Sequence, residues 1–391
     1  MQIRFVLLLA LLTAFPPLAT DMYLPAIPYL VEIWGYPLSI VNLTLVLFFV
    51  TYCISLLFYG PLSDRFGRKP PLISGILLFI AASLLCAFST NIWMLISARI
   101  VQGMGAGAAS SISLAMARDR LESGARERVL SQVSVIMAIA PMVSPMIGSV
   151  IMEYLSWSWV FVAQGIMGIV AFLGVLATAE SHGGGDDGAS LAALLQKYVR
   201  IFANRRFMGV VFCNAVIALP LFAFIAGSSS VYISTFGLSE SVFAMFFGAN
   251  AFCFMSGSMT CMRFGPKWGT LPMISAGYAG IVLGGMLMLL NTFDGPIQFA
   301  IPMGIITFSL GLSRPPSNNL ALEQVTKDAG TASSVMVFSY FMCGAVSMAA
   351  VSLDWADKLI YIGLLSLASG LVASTFWLFL KKNLCIAQST A

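Results

Sequence analysis

The stretch that decides the fold reads Gly60-Pro61-Leu62-Ser63-Asp64-Arg65-Phe66-Gly67-Arg68-Lys69-Pro70. It stands between two long apolar runs, in a chain of which only 9% of residues are charged. Asp64, Arg65, Arg68 and Lys69 cannot lie in hydrocarbon, because a central Asp or Arg costs roughly 2.5–3.5 kcal/mol each on insertion scales. The stretch therefore reads as a short loop at a membrane surface. Gly67 supplies the turn, and Pro70 opens the next helix.

Outward from this loop the chain is apolar in both directions. Its 391 residues are 59% hydrophobic, with a mean hydropathy of +0.93, which excludes an ordinary soluble globule. A helix needs ~20 apolar residues to cross a ~30 Å hydrocarbon core. Twelve such runs follow one another, at roughly 5–33, 39–60, 71–89, 92–117, 128–152, 157–178, 207–235, 239–262, 271–292, 296–322, 331–352 and 357–380. Barrel strands would alternate over ~10 residues instead, so the class is an all-α integral membrane protein.

The basic residues set the topology. With the Asp64 loop placed inside and the sides alternating, Arg4, Arg65, Arg68, Lys69, Arg118, Arg120, Arg126, Arg128, Lys197, Arg200, Arg205, Arg206, Arg263, Lys267, Lys327, Lys381 and Lys382 all fall inside. Lys358 alone falls outside, while Arg99 and Arg314 lie within apolar runs. That asymmetry obeys the positive-inside rule and makes both termini cytoplasmic. Trp34, Trp93, Trp157, Trp159 and Trp355 sit near outer ends, and Trp268 and Trp377 near inner ones. The net charge of +4 thus expresses orientation in a bilayer and makes no case for nucleic acid.

Several other functions are excluded or unsupported. Arg4 before an apolar run imitates a signal peptide, but the run continues past Pro16 and Pro17 to Trp34 with no A-x-A site, so it is expected to remain as the first crossing. The seven cysteines show no C-x-x-C spacing, and His182 is the only histidine, so no metal site is expected. There is no G-x-x-x-x-G-K-[ST] phosphate loop, so ATP is not the fuel and no cofactor is implied. No nucleophile–base pair stands out for an enzyme.

The runs divide into halves. Residues 1–180 hold six, 207–391 hold six, and 181–206 link them on the cytoplasmic side. Ser181 to Gly188 is glycine-rich and acidic, reading as a flexible tether. Residues 190–206 are amphipathic and basic, reading either as a helix on the inner membrane surface or as plain linker. Arg65-Phe66-Gly67-Arg68-Lys69 recurs as Arg263-Phe264-Gly265-Pro266-Lys267, again between the second and third runs of its half. Two related six-helix bundles are implied, with the aspartate present only in the first copy.

Asp21 is the most informative buried charge. Seventeen residues of helix from Arg4 place it ~25 Å above the inner face, and Arg99 lies ~10 Å below the outer end of the fourth run. At comparable depth, each could partner the other. Pro25 has no N–H, so the Asp21 carbonyl loses its helical donor. Asp21 reads as a proton carrier or a ligand for a cationic substrate; the plainer readings are a structural Asp–Arg pair or an aspartate at the outer interface. Arg314-Pro315-Pro316, inside the tenth run, adds a cation that either binds an acidic compound or snorkels to the inner surface.

The pattern G-x-x-x-D-R-x-G-R-K-P resembles the signature loop between helices 2 and 3 of major facilitator superfamily transporters. Thr20-Asp21-Met22-Tyr23-Leu24-Pro25-Ala26-Ile27-Pro28 resembles the first-helix pattern of their bicyclomycin- and chloramphenicol-resistance subgroup of drug:proton antiporters. Arg99-Ile100-Val101-Gln102-Gly103-Met104-Gly105-Ala106-Gly107, with Arg118-Asp119 beyond it, looks like the fourth-helix motif, whose first arginine is tied to proton coupling in that family. Ala140-Pro141-Met142-Val143-Ser144-Pro145-Met146-Ile147-Gly148 is similar to the exporter motif of helix 5, and Ala329-Gly330-Thr331-Ala332-Ser333-Ser334 to the start of helix 11. Physically, Pro141 and Pro145 bend their helix, and Gly148 would allow close packing between the halves. Two positions depart from the subgroup: Ser158 stands where an arginine between tryptophans is common, and Ser149 replaces a second glycine.

The resemblance implies twelve transmembrane helices in two pseudo-symmetric six-helix bundles, a multi-pass protein of the bacterial inner membrane, and a monomer working on small molecules and protons. Export of small amphipathic compounds in exchange for protons is the expected activity. The alternative is a narrower facilitator for a metabolite such as an amino acid, peptide or siderophore, or a nutrient importer. Asp21, Tyr23, Arg99, Gln102 and Arg314 are the expected proton and substrate residues. Gly60, Asp64, Arg65, Gly67, Arg68 and Asp119 form the expected gate. In it Asp64 would accept from the helix-11 N-terminus near Gly330 and Thr331, while Arg65 and Arg68 pair with Asp119.

Overall fold

A chain this apolar must satisfy its backbone internally wherever it meets lipid, and helices do so within a single segment. The computed structural model describes residues 2–120, 123–178, 191–325 and 328–389, and among these there is no strand. The glycine-rich stretch at 181–188, with His182, lies outside the described residues.

The first crossing is in three pieces: α1 (Gln2–Thr13), α2 (Phe15–Asp21) and α3 (Ala26–Trp34). Pro16 and Pro17 open α2, and Gly35, left-handed at φ 65°, closes α3. Then come α4 (Leu38–Val41), α5 (Leu43–Phe66), α6 (Lys69–Ala87), α7 (Ile92–Arg120), α8 (Ser123–Tyr154) and α9 (Trp157–Leu176). A separate helix, α10 (Leu191–Ala203), fills much of the linker. The seventh crossing joins α11 (Arg205–Val216), α12 (Leu219–Ser229) and a π-helical turn at Ser230–Thr235. The rest are α13 (Glu240–Trp268), α14 (Thr270–Leu289), α15 (Ile297–Glu323), α16 (Ala329–Val351) and α17 (Lys358–Ser389). Ten segments are individually long and apolar enough to span a bilayer. The broken first crossing and α8, whose apolar part is Ile139–Tyr154, complete the expected twelve.

The chain divides into two compact units, Met1–Gly188 with Leu238–Gly248, and Ala189–Gly237 with Ala249–Ala391. The linker helix α10 therefore falls in the second unit. Arg200 reaches Asp328 at 3.3 Å. Asn204 donates to the carbonyl of Gln324 at 2.8 Å while its own carbonyl oxygen caps Phe207 N–H. These bonds fasten the linker helix to the turn between α15 and α16. Residues 191–203 are thus an ordered helix rather than plain linker.

Proline inside a helix frees a carbonyl one turn back, and in α15 a side chain fills one such vacancy. Pro315 removes the donor to Gly311, whose carbonyl instead accepts the Ser258 hydroxyl of α13 at 3.2 Å. α15 runs unbroken through Pro302, Pro315 and Pro316. Trp377, expected near the inner surface, is fully buried in the second unit, its indole N–H donating to Ser275 Oγ at 2.9 Å.

Candidate functional site

The polar centre of the first unit grows from the break in the first crossing. With no N–H at Pro25, the Asp21 carbonyl takes a long 3.4 Å bond from Leu24, and Tyr23 N–H turns to Thr20 at 3.1 Å. The Asp21 carbonyl is therefore re-partnered rather than left bare. The carbonyl released by this shift is that of Ala19. It accepts Arg99 Nη1 at 3.1 Å and Gln164 Nε2 at 3.2 Å.

Arg99 is completely buried, yet among the described residues no carboxylate pairs with it. Its Nε donates to the Thr44 carbonyl at 3.2 Å and its Nη1 also to Gln102 Oε1 at 2.6 Å. Its guanidinium lies 4.3 Å from the Phe48 ring centre and 5.3 Å from that of Tyr23, and its Nη2 has no partner. Gln102 donates onward to Ser83 Oγ and Gln164 Oε1, both at 2.8 Å. Tyr23 Oη lies 3.1 Å from Thr44 Oγ1. Five crossings thus converge through α2, α5, α6, α7 and α9.

Asp21 is 4% exposed. The Asp21–Arg99 pair that comparable depth allowed does not form: the ion pairs among the described residues are Arg68–Asp64, Arg68–Asp119 and Arg200–Asp328. Arg99 instead donates to the Ala19 carbonyl released at the helix break, to the Thr44 carbonyl of α5 and to Gln102. Asp21 Oδ1 instead sits 3.0 Å from the Thr20 hydroxyl, which also lies 2.8 Å from the Pro16 carbonyl. One hydroxyl proton serves one acceptor at a time. Thr20 can therefore turn to Asp21 when it is charged and to Pro16 when it is protonated.

The glycines of α7 set its closeness to its neighbours. A Cβ at Gly103 would strike the Phe48 carbonyl of α5, and one at Gly105 would lie 2.6 Å from the Gly75 carbonyl of α6. In α8, a Cβ at Gly148 would collide with the Met22 carbonyl. The close approach that requires glycine there is therefore to the first-crossing break within the same unit. Pro141 and Pro145 both lie inside the helix.

The charged stretch is mostly helix. Gly60 to Phe66 continue α5 through Pro61, and only Gly67 (φ 84°, ψ 164°) and Arg68 separate it from α6. The helix continues through the charges, with Asp64 and Arg65 exposed at its end, so the loop is shorter than expected. Arg68 is the hub: Nε donates to Asp119 Oδ2 at 2.7 Å, Nη1 to Ser63 Oγ at 2.8 Å, and Nη1 also to Asp64. Partial burial alone would lower the Arg68 pKa, but the Asp119 and Asp64 carboxylates outweigh it and raise it. The hub stays charged. Ser63 in turn donates to Gly60 at 2.8 Å. Arg65 does not join Asp119; it is exposed and lies over the Phe66 ring at 5.3 Å.

The repeat in the second unit is displaced from its sequence echo. Arg263 to Lys267 lie within α13, and the turn falls at Gly269 (φ 84°, ψ 163°). Lys267-Trp268-Gly269-Thr270-Leu271-Pro272 is therefore the structural counterpart, one helical turn further on. Arg314 is half-buried on α15, its guanidinium 3.9 Å from the ring centre of Tyr340.

Sequence reasoning missed Gln164, Ser83, Thr44 and Lys69. Gln164 was legible as an amide inside an otherwise apolar run. Lys69 donates to the carbonyls of Leu176 (3.3 Å) and Thr178 (3.1 Å), closing the C-terminus of α9, where a cation is favoured.

The family model described as Major Facilitator Superfamily matches residues 9–348. A relative in Bacillus subtilis, named an uncharacterized MFS-type transporter YdgK, is 30% identical over 88% of this chain and 87% of its own length. A bicyclomycin resistance protein homolog of Haemophilus influenzae is 27% identical over 91% of this chain and 92% of its own. A chloramphenicol resistance protein of Pseudomonas aeruginosa is 27% identical over 88% and 82%. Among solved structures, a bacterial homologue of the human lysosomal transporter Spinster, inward-facing and unoccupied, superposes with a TM-score of 0.75 at 12% identity, covering 97% of this chain and 96% of its own. The nucleoside transporter NupG gives 0.75 at 10% identity, covering 96% and 99%.

Proposed function

The chain belongs to the major facilitator superfamily, and from that premise we propose that it exports small amphipathic compounds in exchange for protons by alternating access. Membership makes it a transporter. The relatives named for bicyclomycin and chloramphenicol resistance support a drug-like cargo. The observation that carries proton coupling is Asp21, a buried carboxylate at a helix break with no cation in ion-pair contact among the described residues. A proton neutralises it where a bare charge is costly, and the Thr20 hydroxyl is placed to serve either state.

In this reading Asp21 carries the proton. Arg99, Gln102 and Tyr23 hold the broken first crossing against α5, α7 and α9, so that a change at Asp21 is felt across the unit. Asp64, with Arg68 and Asp119, latches the cytoplasmic side. Substrate and proton then shift the population between outward- and inward-open states. Both termini lie in the cytoplasm and the protein sits in the bacterial inner membrane. One proton returning across 100 mV releases ~2.3 kcal/mol, enough for a roughly 50-fold gradient of a neutral solute.

The test is flux in proteoliposomes. An imposed pH gradient is expected to drive uptake of chloramphenicol or an amphipathic dye, and a protonophore to stop it. Saturable transport indifferent to both would remove proton exchange from the account.

A further inference from the structure

We propose that the second unit carries an oxyanion subsite, formed by Arg314 and Tyr340, that receives acidic aromatic solutes. Arg314 lies near the inner third of α15, nine residues before its end at Glu323, or about 13 Å at the helical rise. No ion pair or hydrogen bond engages its side chain among the described residues. What holds it is the Tyr340 ring, 3.9 Å from the guanidinium carbon.

A ring under a guanidinium occupies its flat face. The five N–H donors radiate in the plane and stay available, in the fork that grips a carboxylate with two parallel bonds. Tyr340 is 5% exposed and its hydroxyl has no partner either. A buried hydroxyl and a half-buried cation, side by side and both unsatisfied, are costly unless an acceptor arrives. An anionic oxygen serves both.

The surroundings indicate what the anion is attached to. The Tyr340 ring packs edge-on against Phe222 at 5.5 Å and Phe341 at 5.5 Å, and Phe222 meets Phe341 at 5.6 Å. Ser347 donates to the Leu219 carbonyl at 2.6 Å, and the face of Gly344 lies against the Phe222 ring. The α12–α16 contact that presents Tyr340 is thus tightly fixed. Phe341 is the partly exposed ring of the three, and an aromatic body can lie against it while its carboxylate meets the cation. A phospholipid headgroup offers the same oxyanion, and the test separates the two sources.

This subsite rests on the transporter reading, but its test reads binding alone. Melting of the purified full chain is followed in phosphatidylcholine nanodiscs with salicylate and with its neutral analogue salicylamide, since a ligand of the folded state raises the transition. Salicylate is expected to stabilise, and salicylamide much less. Arg314→Gln should weaken salicylate by about 30-fold, and Tyr340→Phe by about 10-fold, as expected for loss of a charged partner and of one bond to it. Tyr340→Phe keeps the ring stack and serves as the readout if the arginine variant does not fold.

Equal shifts from acid and amide, or salicylate shifts untouched by both substitutions, overturn the proposal. So does loss of the salicylate shift on adding phosphatidylglycerol, which would assign the subsite to lipid. Gradient-driven flux of a neutral dye by the same purified protein in proteoliposomes keeps failure of the subsite distinct from failure of the transporter reading.

Discussion

The fourth and tenth crossings share a frame and differ in what they bury. Gly67 and Gly269 have the same backbone angles at matching turns. From these turns, Gly75 and Gly277 occupy equal places on α6 and α14. A Cβ on Gly75 would lie 3.4 Å from the Gly105 carbonyl, and one on Gly277 2.6 Å from that of Ser309. Gly105 and Ser309 therefore correspond, and Arg99 and Gln102 correspond to Met303 and Ile306. All four are essentially inaccessible. One unit buries a cation and an amide where the other buries a thioether and an aliphatic side chain. Packing alone is satisfied by the second solution, so the polar one needs another purpose. A buried charge in a membrane is a functional marker by default, and in the first unit it lies one helix contact from Asp21.

The largest effect should come from making the first unit like the second. Arg99→Met with Gln102→Ile leaves Gln164, Ser83 and the Ala19 carbonyl short of partners, costing ~1–3 kcal/mol, while gradient-driven transport falls to background. Normal transport by a folded double variant would reduce the contrast to packing. Next is the charge that the second loop lacks. Asp64→Asn is expected to slow transport severely while substrate affinity, measured by thermal shift, changes little. Parallel loss of both would mean that the loop touches the binding site.

A stability pair sharpens the structural side. Gly67→Ala and Gly269→Ala should each cost ~1–3 kcal/mol, because a positive φ with extended ψ is a conformation essentially only glycine adopts, and by similar amounts. A clearly unequal pair of melting temperatures would undo the correspondence between the turns. The smallest effect belongs to Lys69→Ala. It removes the cap on α9 and should cost ~0.3–1 kcal/mol in melting stability, with transport retained.

The fold was legible because it depends on one repeated quantity, apolar length, which twelve runs express independently. The loop was legible because hydrocarbon excludes its charges. The register of the second loop was not. Five matching residues at 263–267 competed with a turn that follows backbone angle rather than side-chain identity, and a helix continues through Pro266 when its neighbours support it. At the site, Asp21, Arg99 and Gln102 announced themselves as polar residues in apolar runs. Their pairing was hidden, because depth along a helix axis says nothing of azimuth, and because the Ala19 carbonyl released at the helix break is a donor sink that a residue list does not show. Arg65 and Arg68 looked interchangeable on charge. Only Arg68, past the Gly67 turn, is aimed back at Asp64 and Asp119. Gly148 was read as packing between halves, yet the carbonyl that excludes a side chain there belongs to Met22.

The most direct measurement is dye flux under an imposed pH gradient in proteoliposomes of Asp21→Asn beside the unchanged protein, with dye binding measured on the same preparations. Retained binding and no response to the gradient is the predicted result. Gradient-driven flux at the level of the unchanged protein would contradict the claim that Asp21 carries the proton.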